Sequence, residues 1–351
     1  MLAGKLYGIT VEAAREPVDV WHPDVRYCEV RDAGGKVIAG VYLDLYARPG
    51  KRGGAWMDVC RARFRDGDSL QLPVAFLTCN FAPPVRKSPA EVRPTSLART
   101  AGEGEGTRGV SGGVRVDDQV HPSLLTHDDV QTIFHEFGHG LHHMLTRIDL
   151  PSIGGTDGVE WDAVELPSQF MENFCWNRQV LDLFAAHWSS GEKLPDDLFD
   201  KMLAAQHFQA GMFLCRQLEF GLFDFLLHAN YDPAHGARVM ETLEAARREA
   251  AVLHPPAWQR FPHAFTHVFA GGYAAGYYSY LWAEVLSADV FGAFEEQAGE
   301  TGSAIDAATG ARFRDEFLAV GASRPALESF IAFRGRAPQP DALLRSYGLA
   351  A

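Results

Sequence analysis

Hydrophobic and polar residues are arranged differently in the first and the last parts of the chain. Residues 25–48, VRYCEVRDAGGKVIAGVYLDLYAR, contain two segments rich in β-branched and aromatic residues, separated by the turn sequence DAGG. This pattern predicts a β-hairpin. Residues 72–81, LPVAFLTCNF, form a further apolar run that predicts a strand. We therefore expect a small β region near the N-terminus, within residues 1–86.

A helical pattern, with apolar residues at intervals of three and four positions, runs from Thr126 almost to the C-terminus. Such intervals place the apolar side chains on one face of an α-helix. The segments with this spacing are LDLFAAHW (181–188), LFDKMLAAQHFQAGMFLCRQLEFGLFDFLLHA (198–229), ARVMETLEAARREAAVL (237–253) and SYLWAEVLSADVFGAFEEQ (279–297). The chain is therefore predicted to be mainly α-helical, with residues 124–351 forming a helical domain.

A segment of different composition lies between these two parts. Residues 87–123 are dominated by Gly, Pro, Ser, Thr and charged residues and contain no aromatic residue. Such a segment buries too little apolar surface to offset the entropy lost when it becomes ordered. It is therefore predicted to be a flexible insertion between residues 1–86 and the helical domain.

Composition and charge narrow the class of protein. Of the 351 residues, 47% are hydrophobic and 22% are charged, which is typical of globular proteins with a substantial core. No apolar run reaches the ~18 residues of a membrane span, and the N-terminal sequence is not that of a secretory signal. The net charge of −13 disfavours nucleic acid, because phosphate binding needs clustered Lys and Arg. We expect neither a membrane nor a nucleic-acid partner.

The five cysteines indicate the redox environment. They are odd in number, scattered along the chain and without any C-x-x-C pair: Cys28, Cys60, Cys79, Cys175 and Cys215. This usage favours reduced thiols over a disulfide framework or a thiolate metal site. It predicts a cytoplasmic protein.

The stretch FHEFGHGLHHML, residues 134–145, holds four histidines and one acid. A helix is expected to carry it, because Thr126 and Asp129 supply the hydroxyl and the acid of a helix N-terminus. Gly138 and Gly140 each lower helix propensity by up to ~1 kcal/mol. We interpret them as small residues that leave space for a metal and a substrate.

His135 and His139 are four residues apart, so on a helix they lie on one face, one turn apart. Two imidazoles at this spacing can bind one metal ion. Glu136 approaches from the side and can reach a water beside the metal, where a general base is needed. The arrangement H-E-x-x-H is that of zinc peptidases.

A catalytic zinc usually takes three protein ligands, so a third is required. His142 follows His139 by three residues, but three ligands from one straight helix fit a tetrahedron poorly. His143 points about 100° further around the helix. Glu165, in WDAVELPSQFMENFCW, lies on a second predicted helix, where Pro167 is near the first turn or marks a kink. Packed antiparallel to the first helix, it would offer Glu165 from across the metal; His142 remains an alternative.

Longer segments of the chain resemble the thimet oligopeptidase family of zinc metallopeptidases. They are FHEFGHGLHHMLTRI, WDAVELPSQFMENFCW, RQLEFGLFDF, FPHAFTHVFAGGYAAGYYSYLWAEVLSADVF and FRGRAPQPDALLRSYG. The resemblance runs from about Lys5 to the C-terminus, except for residues 87–123. It implies a mainly α-helical zinc-peptidase catalytic domain of the neurolysin and thimet oligopeptidase type, with a small β region. It also implies a deep, narrow channel that admits only short, unfolded peptides.

The resemblance assigns roles to the residues of the two helices. His135, His139 and Glu165 match the ligands of one Zn²⁺ per chain. Glu136 matches the catalytic glutamate, which takes a proton from the attacking water. The implied activity is that of a zinc metalloendopeptidase acting on short peptides.

A segment rich in tyrosine, GGYAAGYYSYLW, follows FTHVFA and also matches the family. His267, Tyr273, Tyr277 and Tyr280 correspond to the stretch that contacts substrate there, and His267, Tyr277 and Tyr280 are the candidates for oxyanion stabilisation. The residues themselves agree with this role, because four closely spaced tyrosines are poor core material when each hydroxyl needs a partner. Tyr278 is the tyrosine for which simple packing is favoured most.

Several functional hypotheses remain open. Within the family, dipeptidyl carboxypeptidase activity is an alternative to endopeptidase activity. Family members are also longer, so we expect the chain to lack the N-terminal half that forms one channel wall. It would then be a weakly active or inactive relic, or part of a split enzyme, whose partner is the missing half or a second copy. A structural zinc module is disfavoured, because such sites favour Cys and no cysteine lies near His135 in the sequence.

Overall fold

The computed structural model of the chain describes residues 1–86 and 120–349. The predicted flexible insertion, residues 87–123, therefore falls almost entirely outside the described residues. At its two edges, Val85–Arg86 and Val120–His121 pair as an antiparallel two-stranded ladder.

The β region and the helical region follow each other in the predicted order. The strands are β1 (Thr10–Ala13), β2 (Arg26–Arg31), β3 (Val37–Tyr46), β4 (Trp56–Arg61), β5 (Phe64–Asp66), β6 (Ser69–Gln71), β7 (Val74–Phe81), β8 (Val85–Arg86) and β9 (Val120–His121). The α-helices are α1 (Leu2–Tyr7), α2 (His127–Met144), α3 (Trp161–Val164), α4 (Leu166–Asn173), α5 (Arg178–Leu181), α6 (Asp196–Gln206), α7 (Ala210–Ala229), α8 (Val239–Ala250), α9 (Thr266–Phe269), α10 (Ser279–Thr301), α11 (Ala307–Phe313), α12 (Ala326–Arg334) and α13 (Asp341–Ser346). Shorter turns of 3₁₀-helix are Pro151–Ile153, Phe174–Trp176, Phe261–Ala264 and Gly321–Ser323, and a π-helical turn spans Arg314–Leu318. The mainly helical fold class with a small N-terminal sheet is confirmed.

The main sheet has five strands in the order β1-β2-β3-β7-β4. β3 and β7 are parallel, and the other neighbours are antiparallel. β2 and β3 form the hairpin predicted from residues 25–48. Its turn is closed by Asp32, whose carboxylate accepts hydrogen bonds from the amides of Gly34 (2.9 Å) and Lys36 (3.0 Å). The strand predicted within residues 72–81 is β7.

The main hydrophobic core is formed by one face of this sheet together with α2, α4, α10 and α12. α2 packs against β7 and against α4, and α10 packs against α4. Phe170 of α4 lies in the middle, with ring centroids 5.3, 5.2 and 4.7 Å from those of Phe174, Phe294 and Phe313. The two helices expected to carry the metal ligands are therefore both anchored in the main core.

A smaller hydrophobic cluster, the second cluster, joins α7 and α8 to the chain before α10. Its buried members are Phe223, Leu243, Ala246, Phe265, Val268 and Tyr277. Phe220 of α7 packs against this cluster and stacks on Phe261, with ring centroids 4.6 Å apart. One of the predicted site tyrosines, Tyr277, is thus part of the second cluster.

The helix predicted over residues 181–188 is wrong. α5 ends at Leu181 and the chain folds back, so that Ala186 pairs with Lys193 in an antiparallel bridge. Gly191, with φ 74°, supplies the left-handed residue that this reversal needs. The turn residues that follow the apolar run therefore determine the structure here, although the spacing of the run is that of a helix.

The helical run predicted over residues 198–229 is divided into α6 and α7. The division falls at His207–Gln209, and Gln209 adopts a left-handed backbone with φ 57°. One residue in this conformation interrupts a right-handed helix, although the apolar spacing continues on both sides of it.

Two predictions made from the composition, on the cysteines and on membrane spans, can be compared with the structure. All five cysteines are free, as their scattered positions predicted. In residues 1–86 and 120–349, no helix combines the length and the apolar character needed to cross a membrane.

Candidate metal centre

The helix that carries the histidine-rich stretch begins where the sequence predicts. The hydroxyl of Thr126 accepts a hydrogen bond from the amide of Asp129, and the Asp129 carboxylate accepts one from the amide of Thr126. This reciprocal capping satisfies two amides that a helix N-terminus leaves unpaired. From that start, α2 places the His135 and His139 rings side by side, with centroids 5.0 Å apart.

The second helix is interrupted at Glu165, which ends α3 and precedes α4. Pro167 lies in the first turn of α4, one of the two positions predicted for it. α4 runs antiparallel to α2, because His135 meets Glu172 whereas Gly138, further along α2, meets Pro167. Glu165 therefore faces the two histidines from a second element, as the sequence predicts.

Gly138 has a different role from the one that its small size suggested. A Cβ atom at this position would lie 2.4 Å from the carbonyl oxygen of Pro167 and 2.5 Å from the Cα of Ser168. The glycine therefore allows the backbones of α2 and α4 to approach each other, and the interpretation as space for metal and substrate is wrong for this residue. At Gly140 the nearest atom would be Met144 Cε, at 3.5 Å.

The three predicted ligands converge on one point. The Nε2 atoms of His135 and His139 lie 3.3 and 3.0 Å from Oε2 of Glu165. All three ligand atoms lie within 4.8 Å of one another, the one such group of three found in the described ranges. Two imidazole nitrogens and one carboxylate oxygen match the donor set of a three-ligand zinc site. The residues present therefore fit a zinc ion.

The charges of this group are mutually stabilised. Burial raises the pKa of Glu165, but the neighbouring charges and hydrogen bonds of His139 and His135 outweigh it and hold that pKa well below its usual value. Burial lowers the pKa of His135, but hydrogen bonds with Glu165 and Glu172 hold it well above its usual value. The carboxylate, with only 2% of its side chain exposed, thus requires positive charge beside it.

Two further groups orient the ligands. Nδ1 of His135 lies 2.6 Å from Oε1 of Glu172, which leaves Nε2 directed at Glu165. The hydroxyl of Ser168 donates to Oε2 of Glu165 at 2.9 Å. A carboxylate behind a ligating histidine fixes its tautomer and ring orientation. Glu172 was not predicted, although its position seven residues after Glu165, two turns along the same face, was a signal for it.

Glu136 is buried between α2 and the sheet, with 6% of its surface exposed. Burial raises its pKa, while the charges of His135 and His139 and a backbone hydrogen bond with Met57 oppose that effect. It does not take part in the three-residue cluster. Its role as the general base stays a prediction.

The two other histidines of α2 lie elsewhere. His142 is buried, its ring packs 5.7 Å from that of Phe317, and neither ring nitrogen has a hydrogen-bond partner among the described residues. Burial lowers the pKa of His142 to about 3. His143 is also buried, with Nε2 2.9 Å from the carbonyl oxygen of Arg61. Neither residue belongs to the group of three, so the structure does not bring the alternative ligand His142 to His135 and His139.

The tyrosine segment, residues 271–280, reaches the ligand cluster through two phenols. The hydroxyl of Tyr273 donates to Oε1 of Glu165, and the hydroxyl of Tyr280 is hydrogen-bonded to that of Tyr273. Their rings are stacked with centroids 4.8 Å apart, and the ring of His267 lies 6.2 and 5.9 Å from them. Burial raises the pKa of both phenols, so both keep their protons at neutral pH.

The hydroxyls of the remaining two tyrosines have partners other than the candidate ligands. Tyr277 is buried and its hydroxyl donates to Oε1 of Gln217 on α7 at 3.0 Å. Tyr278 donates to Asp162 and stacks on Phe225, with centroids 5.2 Å apart. The structure thus brings the phenols of Tyr273 and Tyr280 to Glu165, whereas the Tyr277 ring lies 5.2 Å from that of Tyr280 and 6.0 Å from that of His267 but its hydroxyl is bound to Gln217.

Comparison with known sequences identifies the family. The family model of Peptidase family M3 matches residues 1–99 and 114–349. The chain therefore belongs to Peptidase family M3, a family of metallopeptidases, and the resemblance seen in the sequence is confirmed.

Individual relatives are considerably longer than this chain. Oligopeptidase A of Escherichia coli (strain K12) is 51% identical over 346 residues, which are 98% of this chain and 45% of that protein. Dipeptidyl carboxypeptidase of Salmonella typhimurium is 35% identical over 350 residues, 99% of this chain and 45% of that protein. The chain spans less than half the length of these curated relatives.

A solved structure supports the fold. The structure described as PZ peptidase A with inhibitor 2 is similar in fold, with a TM-score of 0.51 and 14% sequence identity. The match covers 87% of this chain and 42% of the chain in that structure. At this identity the likeness concerns the arrangement of helices and strands alone, and it agrees with the mainly helical fold.

Proposed function

We propose that this chain is the zinc-dependent catalytic part of an oligopeptidase that hydrolyses short peptides. The observation that carries the proposal is the convergence of His135, His139 and Glu165 on one point, with Glu136 beside them. Membership of Peptidase family M3 supports the reaction class. One Zn²⁺ per chain is expected, because one such group of ligands is found in the described ranges.

The donor set defines what the metal contributes. When bound, zinc supplies a Lewis acid that polarises the scissile carbonyl and makes water acidic enough to lose a proton near neutral pH. His135, His139 and Glu165 would hold the ion with three protein ligands, the number typical of catalytic rather than structural sites. Glu172 and Ser168 keep His135 and Glu165 in the orientation that this role needs.

Glu136 is proposed as the general base. As a carboxylate it accepts the proton of the attacking water and then donates it to the nitrogen of the leaving amine. Its burial and the backbone hydrogen bond with Met57 hold the carboxyl group in place beside the ligands. A base fixed in this way needs no reorganisation when the proton is transferred.

The tyrosine segment is proposed to bind the substrate and to stabilise the oxyanion. Tyr280 and His267 are the leading candidates, because both lie beside Tyr273, whose hydroxyl contacts the ligand Glu165. Phenols that keep their protons are hydrogen-bond donors to a developing negative charge. Tyr277 would act in the same way only after its hydroxyl leaves Gln217.

Dipeptidyl carboxypeptidase activity is the alternative, since one relative at 35% identity carries that name. The two modes are distinguished by the products from a peptide of eight or more residues with a free or an amidated C-terminus. Endopeptidase activity cuts both peptides internally. Release of C-terminal dipeptides that stops on amidation would favour the alternative.

Turnover of an internally quenched fluorescent peptide by the 351-residue chain tests the proposal. We expect activity that a chelator abolishes and that one equivalent of Zn²⁺ restores. Turnover that persists after metal removal, at a measured zinc content near zero, would contradict the proposed function.

A further inference from the structure

One face of α7 carries the tyrosine segment. Gln217, Gly221, Asp224 and Phe225 are spaced so that they share that face. Gln217 accepts a hydrogen bond from the hydroxyl of Tyr277, and Phe225 stacks on Tyr278. A Cβ atom at Gly221 would lie 3.8 Å from the Cα of Tyr278. The segment is thus fitted to α7 along two helical turns.

Asp224 is the polar centre of this contact. It is 1% exposed, and its two carboxylate oxygens accept hydrogen bonds from the backbone amides of Ala275 and Tyr277, each at 2.9 Å. Nδ1 of His228, one turn further along α7, lies 2.9 Å from Oδ1. A buried carboxylate is costly unless hydrogen bonds satisfy it, and here two of the bonds come from alternate residues of the segment.

The backbone conformation at Ala275 is unfavourable for the segment by itself. Ala275 has φ 56°, in the left-handed region that residues with a Cβ rarely occupy. Such a conformation persists where the surroundings determine it. The amide of Ala275 donates to Asp224, and the amide of Gly276 donates to the carbonyl oxygen of Tyr273, so the carboxylate is one of the groups in contact with this conformation.

We infer that Asp224 is a positioning residue for the tyrosine segment. By binding the amides of Ala275 and Tyr277, it fixes the backbone between Tyr273 and Tyr280, and thereby the two phenols beside the metal ligand Glu165. The side-chain contacts described for Asp224 are with Ala275, Tyr277 and His228 and with none of the three ligands. The inference that this matters for turnover rests on the proposed function; the anchoring itself does not.

The test compares Asp224→Ala and Asp224→Asn with the unaltered 351-residue chain by amide hydrogen exchange, zinc content and steady-state kinetics. In Asp224→Ala, exchange over residues 271–280 should accelerate at least about tenfold, whereas exchange in α2 stays unchanged. Zinc should remain at one per chain, and kcat should fall at least about tenfold, since misplaced donors lose transition-state stabilisation. The effects of Asp224→Asn on exchange and kcat should lie between those of Asp224→Ala and the unaltered chain, because one acceptor oxygen remains.

Asp232→Asn is the matched control. Asp232 is exposed, lies just after α7 and hydrogen-bonds only with its neighbours Ala234 and His235 in the contacts described. This variant should show unchanged exchange over residues 271–280 and unchanged kcat. Asp224→Asn keeps the volume of the side chain, so it carries the test if Asp224→Ala does not fold.

Two results would overturn the inference. Unchanged exchange at Ala275 and Tyr277 in both Asp224 variants would show that Asp224 does not anchor the segment. Faster exchange with an unchanged kcat, in zinc-loaded protein, would show that anchoring does not position the reacting groups. If the unaltered chain shows no turnover at all, the proposed function fails, and the exchange comparison still decides the anchoring.

Discussion

The proposed metal centre and the tyrosine segment are held in place by different means. His135, His139 and Glu165 project from α2 and from the junction of α3 and α4, whose packing belongs to the main core. Tyr273, by contrast, lies on irregular backbone between α9 and α10 that is backed by the smaller second cluster. The comparison indicates that ligand geometry derives from helix packing, whereas the placement of Tyr273 depends on individual hydrogen bonds and ring contacts of an irregular segment; Tyr280 stands at the start of α10.

Among the described residues, three side-chain hydrogen bonds connect the two regions. Tyr273 donates to Glu165, Tyr278 donates to Asp162, and the side-chain amide of Gln169 donates to the carbonyl oxygen of Tyr280 at 3.0 Å. Removing one of these bonds should shift the phenols without disturbing the packing of α2 on α4. Zinc binding and turnover should therefore respond separately to mutations in the two regions, and the predictions below use that separation.

The largest effect is expected from Glu136→Gln in the metal region. The change removes the general base but keeps the shape of the side chain and all three ligands. We predict a loss in kcat of at least ~10²–10⁴, the range for one positioned proton-transfer group. Zinc content should remain one per chain; a variant that lost zinc in proportion to its activity would make Glu136 a ligand.

The next largest effect is expected from Tyr280→Phe in the tyrosine segment. It removes one hydroxyl that can donate to the oxyanion, and loss of one such donor costs ~10²–10³ in kcat. Zinc content should not change, because the hydrogen bond described for the Tyr280 hydroxyl is with Tyr273 and not with Glu165. Tyr231→Phe, at an exposed tyrosine just after α7, is the control; an equal loss in both variants would refute the assignment.

A smaller effect, on zinc affinity alone, is expected from Glu172→Gln. The variant weakens the hydrogen bond that orients His135, and loss of such a partner lowers metal affinity by ~10–100-fold. Competition with a chromogenic chelator measures it. Glu300→Gln, an exposed residue near the end of α10, should leave affinity unchanged. An unchanged affinity in Glu172→Gln would show that helix packing alone orients His135.

The smallest effect concerns stability, with Gly138→Ala compared to Gly140→Ala. The added Cβ at Gly138 would collide with Pro167 and force α2 away from α4, which costs about 1–3 kcal/mol. At Gly140 there is room, and the higher helix propensity of alanine should stabilise the protein by up to ~1 kcal/mol. Urea denaturation gives both values. Opposite signs support the close approach of the helices; equal signs contradict it.

Much of the metal region could be predicted from the sequence. The spacing of His135 and His139 is local, and so is the capping of α2 by Thr126 and Asp129. Glu165 required one further step, the antiparallel packing of a second helix, which the intervening Gly and Pro residues indicated. These features depend on helix periodicity and on contacts between consecutive elements, which a sequence displays directly.

The rest depends on contacts between distant parts of the chain. Asp224 binds amides that are 51 and 53 residues away, and no local pattern signals such a pair. The role of Gly138 depends on how closely α4 approaches α2, and the fold-back after Leu181 depends on a turn rather than on apolar spacing. The tyrosine segment was therefore located by its composition, but its internal arrangement could not be predicted.

The central claim is that His135, His139 and Glu165 hold one zinc ion. Zinc content after dialysis, measured by inductively coupled plasma mass spectrometry, tests it in Glu165→Ala and His142→Ala side by side. The account predicts one zinc per chain in the unaltered protein and in His142→Ala, and close to none in Glu165→Ala. Equal zinc content in the two variants would contradict the account and would return the third ligand to α2.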